Sequence, residues 1–339
     1  MPLQYTRTEA KEWAKKTWFG CCNIVMPTFT QDRERLNRKA IIHDINRSYD
    51  LGFWGTLLKS ECGTTLSEME EFMDIAVANR PSENFHYVLL GSFNTLEEIQ
   101  YMAKKAEEKG IDALLLAYPP SFFPQDKEEI YEFTKSVAMA SNLAMIIFAV
   151  PTWDFVRFHP SQFPPDIIEK MTDIDTVVAV KYECGRPGTG GMVEIQHRIG
   201  GKVLISDPLE QNCPAWIKAY GMPWMGTSNY EYFADLVPRY HRLFNEGKWD
   251  EGFKLYWQVQ PARLAKMELM NSVVGAKLIH RAAWKYMQWL VGFNGGPLRM
   301  PQMRVDAASM KRYRDALTRS GIPVTEEPDS QFFVGRNPE

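Results

Sequence analysis

The sequence predicts a (β/α)8 barrel of the α/β class, followed by a helical extension. Eight short apolar runs recur along the chain, and each suits a strand that is buried on both faces. Amphipathic stretches of helical length separate the runs, which start roughly 20 to 35 residues apart, the spacing of parallel strands joined by a crossover helix. The predicted strands are Cys22–Met26, Phe53–Leu58, Tyr87–Leu90, Ala113–Ala117, Met145–Val150, Thr176–Val180, Val203–Ile205 and a weaker run at Pro223–Gly226.

An open, doubly wound sheet is the alternative architecture. A dinucleotide-binding sheet of that kind carries G-x-G-x-x-G after its first strand, whereas Pro27, Thr28 and Phe29 follow the first strand here. The closed barrel is therefore preferred.

The helical stretches are marked by their ends and their periodicity. Thr95–Lys109 begins with Thr95 and Glu98 in capping-box spacing, and Gly110 stands where a helix usually stops. After the last strand, helical periodicity covers Tyr232–Asn245, Trp249–Asn271 and Gly275–Gly292. We therefore expect an N-terminal segment over 1–18, the barrel over 19–245, a helical extension over 246–320 and a tail over 321–339.

Composition excludes several classes of protein. The chain has 339 residues, of which 45% are hydrophobic, and its formal net charge is −3, which gives no field suited to a nucleic-acid backbone or an anionic membrane. No apolar run reaches the 18 residues of a membrane span, and the amino terminus lacks the apolar core of a signal peptide. We expect a cytoplasmic protein with neither nucleic acid nor membrane as a partner.

Cysteine and histidine spacing gives no sign of a metal site. The five cysteines contain no C-x-x-C pair, and the six histidines contain no H-E-x-x-H. Reduced thiols are the simplest interpretation, and we predict neither a metal nor a cofactor.

Lys181 is the first candidate for chemistry. It ends the apolar run 176–180, and in barrels the carboxyl ends of the strands form the active site. Loss of hydration there favours the neutral amine, the form that attacks a carbonyl in Schiff-base catalysis. The alternative is a salt-bridged lysine whose charged end reaches solvent.

Five segments of the chain resemble one known family in their order and spacing. They are Met26-Pro27-Thr28-Phe29, 60–66 (SECGTTL), Val150-Pro151, Val180-Lys181 and 295–301 (GGPLRMP). This pattern resembles the class I aldolase superfamily of dihydrodipicolinate synthase and N-acetylneuraminate lyase. The resemblance implies a (β/α)8 barrel whose catalytic lysine ends strand six, which is Lys181 here.

Within that superfamily, the nearest branch resembles trans-o-hydroxybenzylidenepyruvate hydratase-aldolase. The pairs Glu61-Cys62 and Lys181-Tyr182, the chain length and the C-terminal helices carry this likeness. It implies a lyase that binds a 2-oxo acid as a Schiff base and makes or breaks the adjacent carbon–carbon bond. It also implies a homo-oligomer, either a dimer or a tetramer.

Two positions depart from the family pattern. The resemblance implies a proton-relaying tyrosine at the end of strand five, where this chain has Phe148, and a phenyl ring transfers no proton. The family's Gly-Thr-x-Gly, which binds the substrate carboxylate, aligns with Leu57-Leu58-Lys59-Ser60. Ser60 retains a hydroxyl donor there, and Lys59 supplies a charge unless its side chain faces solvent.

Tyr118 and Tyr182 are the candidates to replace the tyrosine, with Tyr118 placed first. Strand alternation turns Tyr182 away from the face of Lys181, and packing is the alternative role of Tyr118. Arg186, in a glycine-rich loop, either clamps a substrate carboxylate or faces solvent. Asp207 either acts at the site or caps the next helix, and we favour capping.

The remaining predicted substrate contacts are assigned by position at strand ends. Aromatic rings there would line a wide apolar pocket, which favours an aromatic substrate, although core packing is the alternative for each ring. These contacts are Glu61, Phe148, Trp153, Trp224, Thr227 and Ser228.

The leading interpretation is a Schiff-base lyase for an arylidene-pyruvate or related 2-oxo acid. One alternative keeps the imine but uses it for decarboxylation or hydration alone. Another is a non-catalytic barrel that binds a carbonyl ligand after losing its tyrosine relay.

Overall fold

A computed structural model describes residues 3–183, 188–274, 278–300 and 303–339, and all eight predicted strands are present in it. The sheet order is β7-β6-β5-β4-β3-β2-β1-β8, and the pairs β1–β2, β3–β4, β4–β5, β5–β6 and β6–β7 are parallel. This is the strand order of a (β/α)8 barrel, so the predicted fold class is confirmed. The strands are β1 (Gly20–Val25), β2 (Gly55–Leu58), β3 (His86–Gly91), β4 (Ala113–Leu116), β5 (Ala144–Ala149), β6 (Val177–Tyr182), β7 (Leu204–Ser206) and β8 (Trp224–Gly226).

Helices alternate with these strands and continue beyond the last one. Those within the barrel repeat are α1 (Ala10–Thr17), α2 (Arg38–Asp50), α3 (Leu66–Ala78), α4 (Leu96–Lys109), α5 (Lys127–Ala140), α6 (Pro165–Met171), α7 (Thr189–Ile199) and α8 (Cys213–Tyr220). Those after β8 are α9 (Leu236–Asn245), α10 (Trp249–Gln258), α11 (Gln260–Val274), α12 (Arg281–Leu290), α13 (Ala307–Arg319) and α14 (Ser330–Val334).

Capping explains where α4 begins and ends. The Thr95 hydroxyl accepts a hydrogen bond from the backbone N–H of Glu98, and Gly110 closes the helix with a left-handed backbone, φ +88°. Only glycine adopts that conformation without steric cost. The start and stop that the sequence predicts for this helix are confirmed.

The chain divides into two compact units, of which the first comprises residues 1–19 and 86–227. It contains β3 to β8, the strands that carry Lys181 and its neighbours. The Ser206 hydroxyl bridges β7 and β8, because it donates to Gly226 O at 3.2 Å and accepts from Gly226 N at 3.0 Å. The two strands at the ends of the sheet order are thereby joined.

The second unit comprises residues 20–85 and 228–339 and contains β1, β2 and the helices after β8. Its last residues, which the sequence predicts as a tail, include the short helix α14. Phe332 of α14 is 3% exposed and packs against Tyr286 and Trp289 of α12. Burial of these rings holds the end of the chain against the helical extension.

Two element boundaries differ from the sequence-based expectation. The stretch Trp249–Asn271 forms two helices, α10 and α11, because Pro261 has no N–H to continue a hydrogen-bond ladder and suits the first turn of a new helix. Strand β6 runs on to Tyr182, so that Lys181 lies inside it rather than at its end. Of the predicted helix Gly275–Gly292, residues 275–277 lie outside the described part of the chain, and α12 begins at Arg281.

Candidate active site

Lys181 is a buried lysine near the carboxyl end of β6. It is 5% exposed, and its backbone pairs in register with Phe148 of β5 and Ser206 of β7. The next backbone N–H, that of Glu183, donates to Ala149 O at 2.7 Å. Strand pairing on both sides therefore fixes the backbone from which the amine projects.

An aromatic ring, a hydroxyl and a carboxylate lie near the amine nitrogen. Nζ of Lys181 lies 3.8 Å from the centroid of the Phe148 ring, 3.4 Å from Thr227 Oγ1 and 3.8 Å from Glu183 Oε2. The phenyl face attracts the ammonium form, the hydroxyl accepts an N–H, and the carboxylate is a base. The amine thus has a proton acceptor nearby although no tyrosine occupies position 148.

Sequence reasoning did not single out Glu183. It follows Lys181 by two positions, and residues i and i+2 of a strand lie on the same face of the sheet. The spacing of two residues between Lys181 and Glu183 was the signal in the sequence that could have identified Glu183. It becomes informative only once β6 is known to extend to Tyr182.

Phe148 and Trp153 form an aromatic pair beside the lysine. Their ring centroids are 5.6 Å apart with an interplanar angle of 89°, the edge-to-face arrangement that aromatic rings favour. Trp153 Nε1 donates to Phe148 O at 2.6 Å, which fixes the indole. Both residues remain partly exposed, so their rings are accessible to a bound molecule.

Tyr118 is not placed as a relay for Lys181. Its hydroxyl lies 2.7 Å from the hydroxyl of Thr134 on α5, which in turn donates to Ile130 O. The ring is buried among the aromatic side chains of Phe122, Phe133, Trp153, Phe155 and Phe163. Burial raises the pKa of Tyr118 well above its usual range. We correct the prediction accordingly, since the phenol serves the packing between β4 and α5.

Tyr182 follows Lys181 in β6, and Asp207 follows the neighbouring strand β7. Tyr182 is buried and pairs in register with Ala149, and strand alternation directs it to the face opposite Lys181. Asp207 follows β7, and its carboxylate accepts hydrogen bonds from Leu209 N, Asn212 Nδ2 and Trp216 Nε1 at 2.8 to 2.9 Å. These bonds organise the start of α8.

The Asp207 carboxyl titrates at an unusual pH. Burial raises its pKa to about 6, its three hydrogen bonds oppose that rise, and the charge of Glu183 adds to it. Its assignment as a substrate contact stays a prediction.

Trp224 belongs to the core rather than to a pocket wall. It is 1% exposed, and its ring centroid lies 4.9 Å from that of Trp18, which follows α1. The structure contradicts the prediction that Trp224 lines a substrate pocket, because the indole is covered by the N-terminal segment of the same unit.

In the second unit, Lys59, Ser60 and Glu61 follow β2. Lys59 is 5% exposed, and its Nζ lies 2.8 Å from Glu61 Oε2. The same carboxylate oxygen also accepts a hydrogen bond from Arg281, the first residue of α12. Lys59 therefore does not face solvent, the alternative that the sequence left open. Arg281 was missed, because 220 positions separate it from Glu61 and no local pattern links them.

A second buried lysine, also missed, lies in the same unit. Lys285 of α12 donates to Thr28 Oγ1 at 2.7 Å and to Pro27 O at 3.2 Å. Burial lowers the pKa of Lys285 to about 8, although the negative charge of Asp44 on α2 acts to raise it. It ties α12 to the segment after β1. The predicted contact Ser228 also lies in this unit, where its N–H donates to Cys22 O at 3.4 Å.

Some expectations fall outside what the structure describes. Arg186 lies in 184–187, beyond the described residues, and its role stays a prediction. In the parts of the chain that are described, no cluster of three or more His, Cys, Asp or Glu residues is arranged to hold a metal ion. No helix formed by those parts is both long and apolar enough to cross a membrane.

Comparison with known sequences gives one consistent family. A model of the dihydrodipicolinate synthetase family matches residues 66–318. The 4-hydroxy-tetrahydrodipicolinate synthase of Methanosarcina acetivorans is 25% identical over 316 residues, which cover 89% of this chain and 98% of that relative. The synthase of Bacillus subtilis is 35% identical over 95 residues, 28% of this chain and 31% of the relative.

Solved structures agree in fold. The 4-hydroxy-tetrahydrodipicolinate synthase of Methylacidiphilum fumariolicum SolV superposes with a TM-score of 0.75 at 15% identity, covering 89% of this chain and 96% of that one. A structure described as PhdJ bound to substrate intermediate gives 0.74 at 18% identity, covering 94% and 97%. Identities this low demonstrate a shared fold alone.

Proposed function

Because the chain belongs to the dihydrodipicolinate synthetase family, we propose that it is a Schiff-base-forming lyase acting on a 2-oxo acid, with Lys181 as nucleophile. The observation that carries the proposal is the buried Lys181 amine, which has a carboxylate and a hydroxyl close to it. Attack of the amine on the C2 carbonyl, followed by loss of water, gives an imine. The imine withdraws electrons from the adjacent carbon–carbon bond.

An aromatic 2-oxo acid of the arylidene-pyruvate type is the proposed substrate. The partly exposed rings of Phe148 and Trp153 support it, because they offer apolar faces beside the amine. The likeness of Glu61-Cys62 and Lys181-Tyr182 to the hydratase-aldolase branch supports the same substrate class. The roles proposed for Lys59 and Ser60, and assembly as a dimer or tetramer, rest on the family resemblance.

The test is borohydride reduction in the presence of pyruvate and, separately, of an arylidene-pyruvate. We expect intact-protein mass spectrometry to detect one adduct, and peptide mapping to place it on Lys181. Lys181→Met, which keeps an unbranched side chain but no amine, is expected to give no adduct. Lys285, which is also buried, serves as an internal control for unspecific reduction.

Analysis of the products distinguishes aldol cleavage from decarboxylation and from hydration. Release of an aromatic aldehyde and pyruvate would support aldol cleavage, whereas carbon dioxide or a hydrated product alone would support the decarboxylase or hydratase alternative. If no 2-oxo acid gives an adduct on Lys181, the Schiff-base function is wrong and a carbonyl-binding role remains.

A further inference from the structure

We propose that Glu183 is the catalytic proton-transfer residue for Lys181, the role that the family resemblance gives to a tyrosine at the position of Phe148. This inference rests on the proposed function, since it concerns how the imine forms. Glu183 Oε2 lies 3.8 Å from Lys181 Nζ. That distance allows transfer after a small side-chain adjustment or through one water molecule.

The backbone gives Glu183 a defined position. Its N–H donates to Ala149 O at 2.7 Å and so continues the pairing of β6 with β5. The side chain shares a strand face with Lys181, two positions earlier, and is 24% exposed. One end of the carboxylate therefore faces the amine while solvent remains within reach to replace the proton.

The other side chains that the sequence or the structure suggested for this task are less suited to it. The Phe148 ring has no exchangeable proton, and the Tyr118 hydroxyl is engaged with Thr134. The carboxylate of Asp207 is held by three donors that organise α8. The Thr227 hydroxyl, 3.4 Å from the amine, orients an N–H but is not basic near neutral pH.

The proposed steps balance in protons and electrons. Glu183 takes one proton from the Lys181 ammonium, and the neutral amine then attacks C2 of the 2-oxo acid, so that a C–N bond forms and the carbonyl π pair moves to oxygen. A second nitrogen proton passes to that oxygen to give the carbinolamine. Glu183 returns its proton to the hydroxyl, the C–O bond breaks, water leaves, and the nitrogen lone pair completes the iminium.

The pH dependence of imine formation follows from the groups that face the carboxylate. Lys181 lies beside it on β6, and the charge of Asp207, after β7, interacts with it. The Lys181 amine attacks the carbonyl only after it has lost a proton, so the rate of imine formation falls at acidic pH. Burial raises the pKa of Asp207 to about 6, so Asp207 contributes equally to the profiles of the wild type and of a Glu183 variant.

The decisive measurement is the rate at which borohydride-trapped imine appears with pyruvate, from pH 5 to pH 9. We expect Glu183→Gln to slow this rate by about 10²- to 10³-fold at every pH in this range, and still to accumulate adduct on Lys181. The matched control is Glu194→Gln, which removes the same charge from α7, where Glu194 pairs with Arg198 at 2.9 Å. It should behave as the wild type does.

Two further variants distinguish loss of the proton-transfer group from poor folding of Glu183→Gln. Phe148→Tyr, introduced into the Glu183→Gln protein, restores a phenol beside Lys181. The double variant should form the imine at least ten times faster than Glu183→Gln does. Glu183→Asp, which keeps a carboxylate, should retain more of the wild-type rate than Glu183→Gln does.

Each remaining outcome overturns one specific claim. Equal rates in Glu183→Gln and wild type would remove the role of Glu183 and leave the Schiff-base function intact. No adduct in the wild type would overturn the proposed function itself, and the relay with it.

Discussion

Lys181 and Phe148 oppose each other across the register of β6 and β5, with the amine 3.8 Å from the ring centroid. An aromatic face stabilises an ammonium by about 0.5–2 kcal/mol, so this contact favours the form of lysine that cannot attack a carbonyl. A nucleophilic lysine in this position needs a group that removes its proton. The nearby Glu183 carboxylate meets that need, whereas the phenol of Tyr118 is committed to α5.

Tyr118→Phe tests the corrected role of that phenol. We expect catalytic turnover within twofold of the wild type, because the hydroxyl bonds to Thr134 rather than to the amine. The unfolding free energy should fall by about 1 kcal/mol, the usual net value of one buried hydrogen bond. Steady-state kinetics and urea denaturation measure the two quantities. A turnover loss of 100-fold would restore Tyr118 as the relay.

Among the elements, the loop after β2 and the first turn of α12 are joined through one carboxylate. Glu61 Oε2 lies 2.8 Å from Lys59 Nζ and also accepts from Arg281. Lys59 is almost wholly buried, and a buried cation that loses its counter-ion retains the cost of its lost hydration. Glu61 therefore stabilises both a buried lysine and the docking of a helix distant in sequence.

Glu61→Gln is expected to lower the unfolding free energy by about 1–3 kcal/mol, below the full value of a buried pair because Glu61 is partly exposed. Denaturant melts measure this change. The control is Glu108→Gln, the same chemical change in an exposed pair with Lys105 on α4, which should leave the melt unchanged. If both variants lose equal stability, burial of the Lys59 pair contributes nothing.

Stability at the scale of the whole molecule depends on pH through buried carboxyl groups, and Glu231 is the clearest of them. Its Oε1 accepts from Gln288 Nε2 and Asn229 Nδ2, both at 2.6 Å, and Gln288 also donates to Ile24 O of β1. Among the described residues, Oε2 of Glu231 has no hydrogen-bond partner. Burial raises the pKa of Glu231 to about 7, although these hydrogen bonds act to lower it.

Because the folded protein holds this proton more tightly than the unfolded chain does, Glu231 lowers stability as pH rises. The loss begins near the ordinary pKa of a glutamate, about 4.5, and is complete above about 7, for a total of about 3 kcal/mol. Glu231→Gln imitates the protonated form. We expect its stability relative to the wild type to improve by about 2 kcal/mol between pH 5 and pH 8.

Thermal or denaturant unfolding at the two pH values measures this change. Asp44 and Asp207 are also buried carboxyls with raised pKa values, but they are present in both proteins and cancel in the difference. A difference that does not vary with pH would mean that Glu231 ionises in the folded state as an ordinary glutamate does.

Much of the fold was predictable because strand burial and helix periodicity are local properties. Every predicted strand occurs, and the ends of α4 follow from Thr95 and Gly110. The position of Lys181 was predictable for the same reason, since an apolar run leads directly into it. Trp224 and Tyr118 were misplaced, because position at a strand end does not reveal which side of the strand a ring faces.

The amino-acid sequence by itself determined the (β/α)8 class, the family and the lysine on strand six, because short-range periodicity and ordered motifs carry that information. Only the tertiary structure decided which groups meet the lysine: the Phe148 ring from one strand, Thr227 after another, and Glu183 through the extension of β6. It also decided that Glu61 joins Lys59 to Arg281 and that Lys285 reaches Thr28. Contacts between residues hundreds of positions apart arise from strand register and helix docking, which no local pattern encodes.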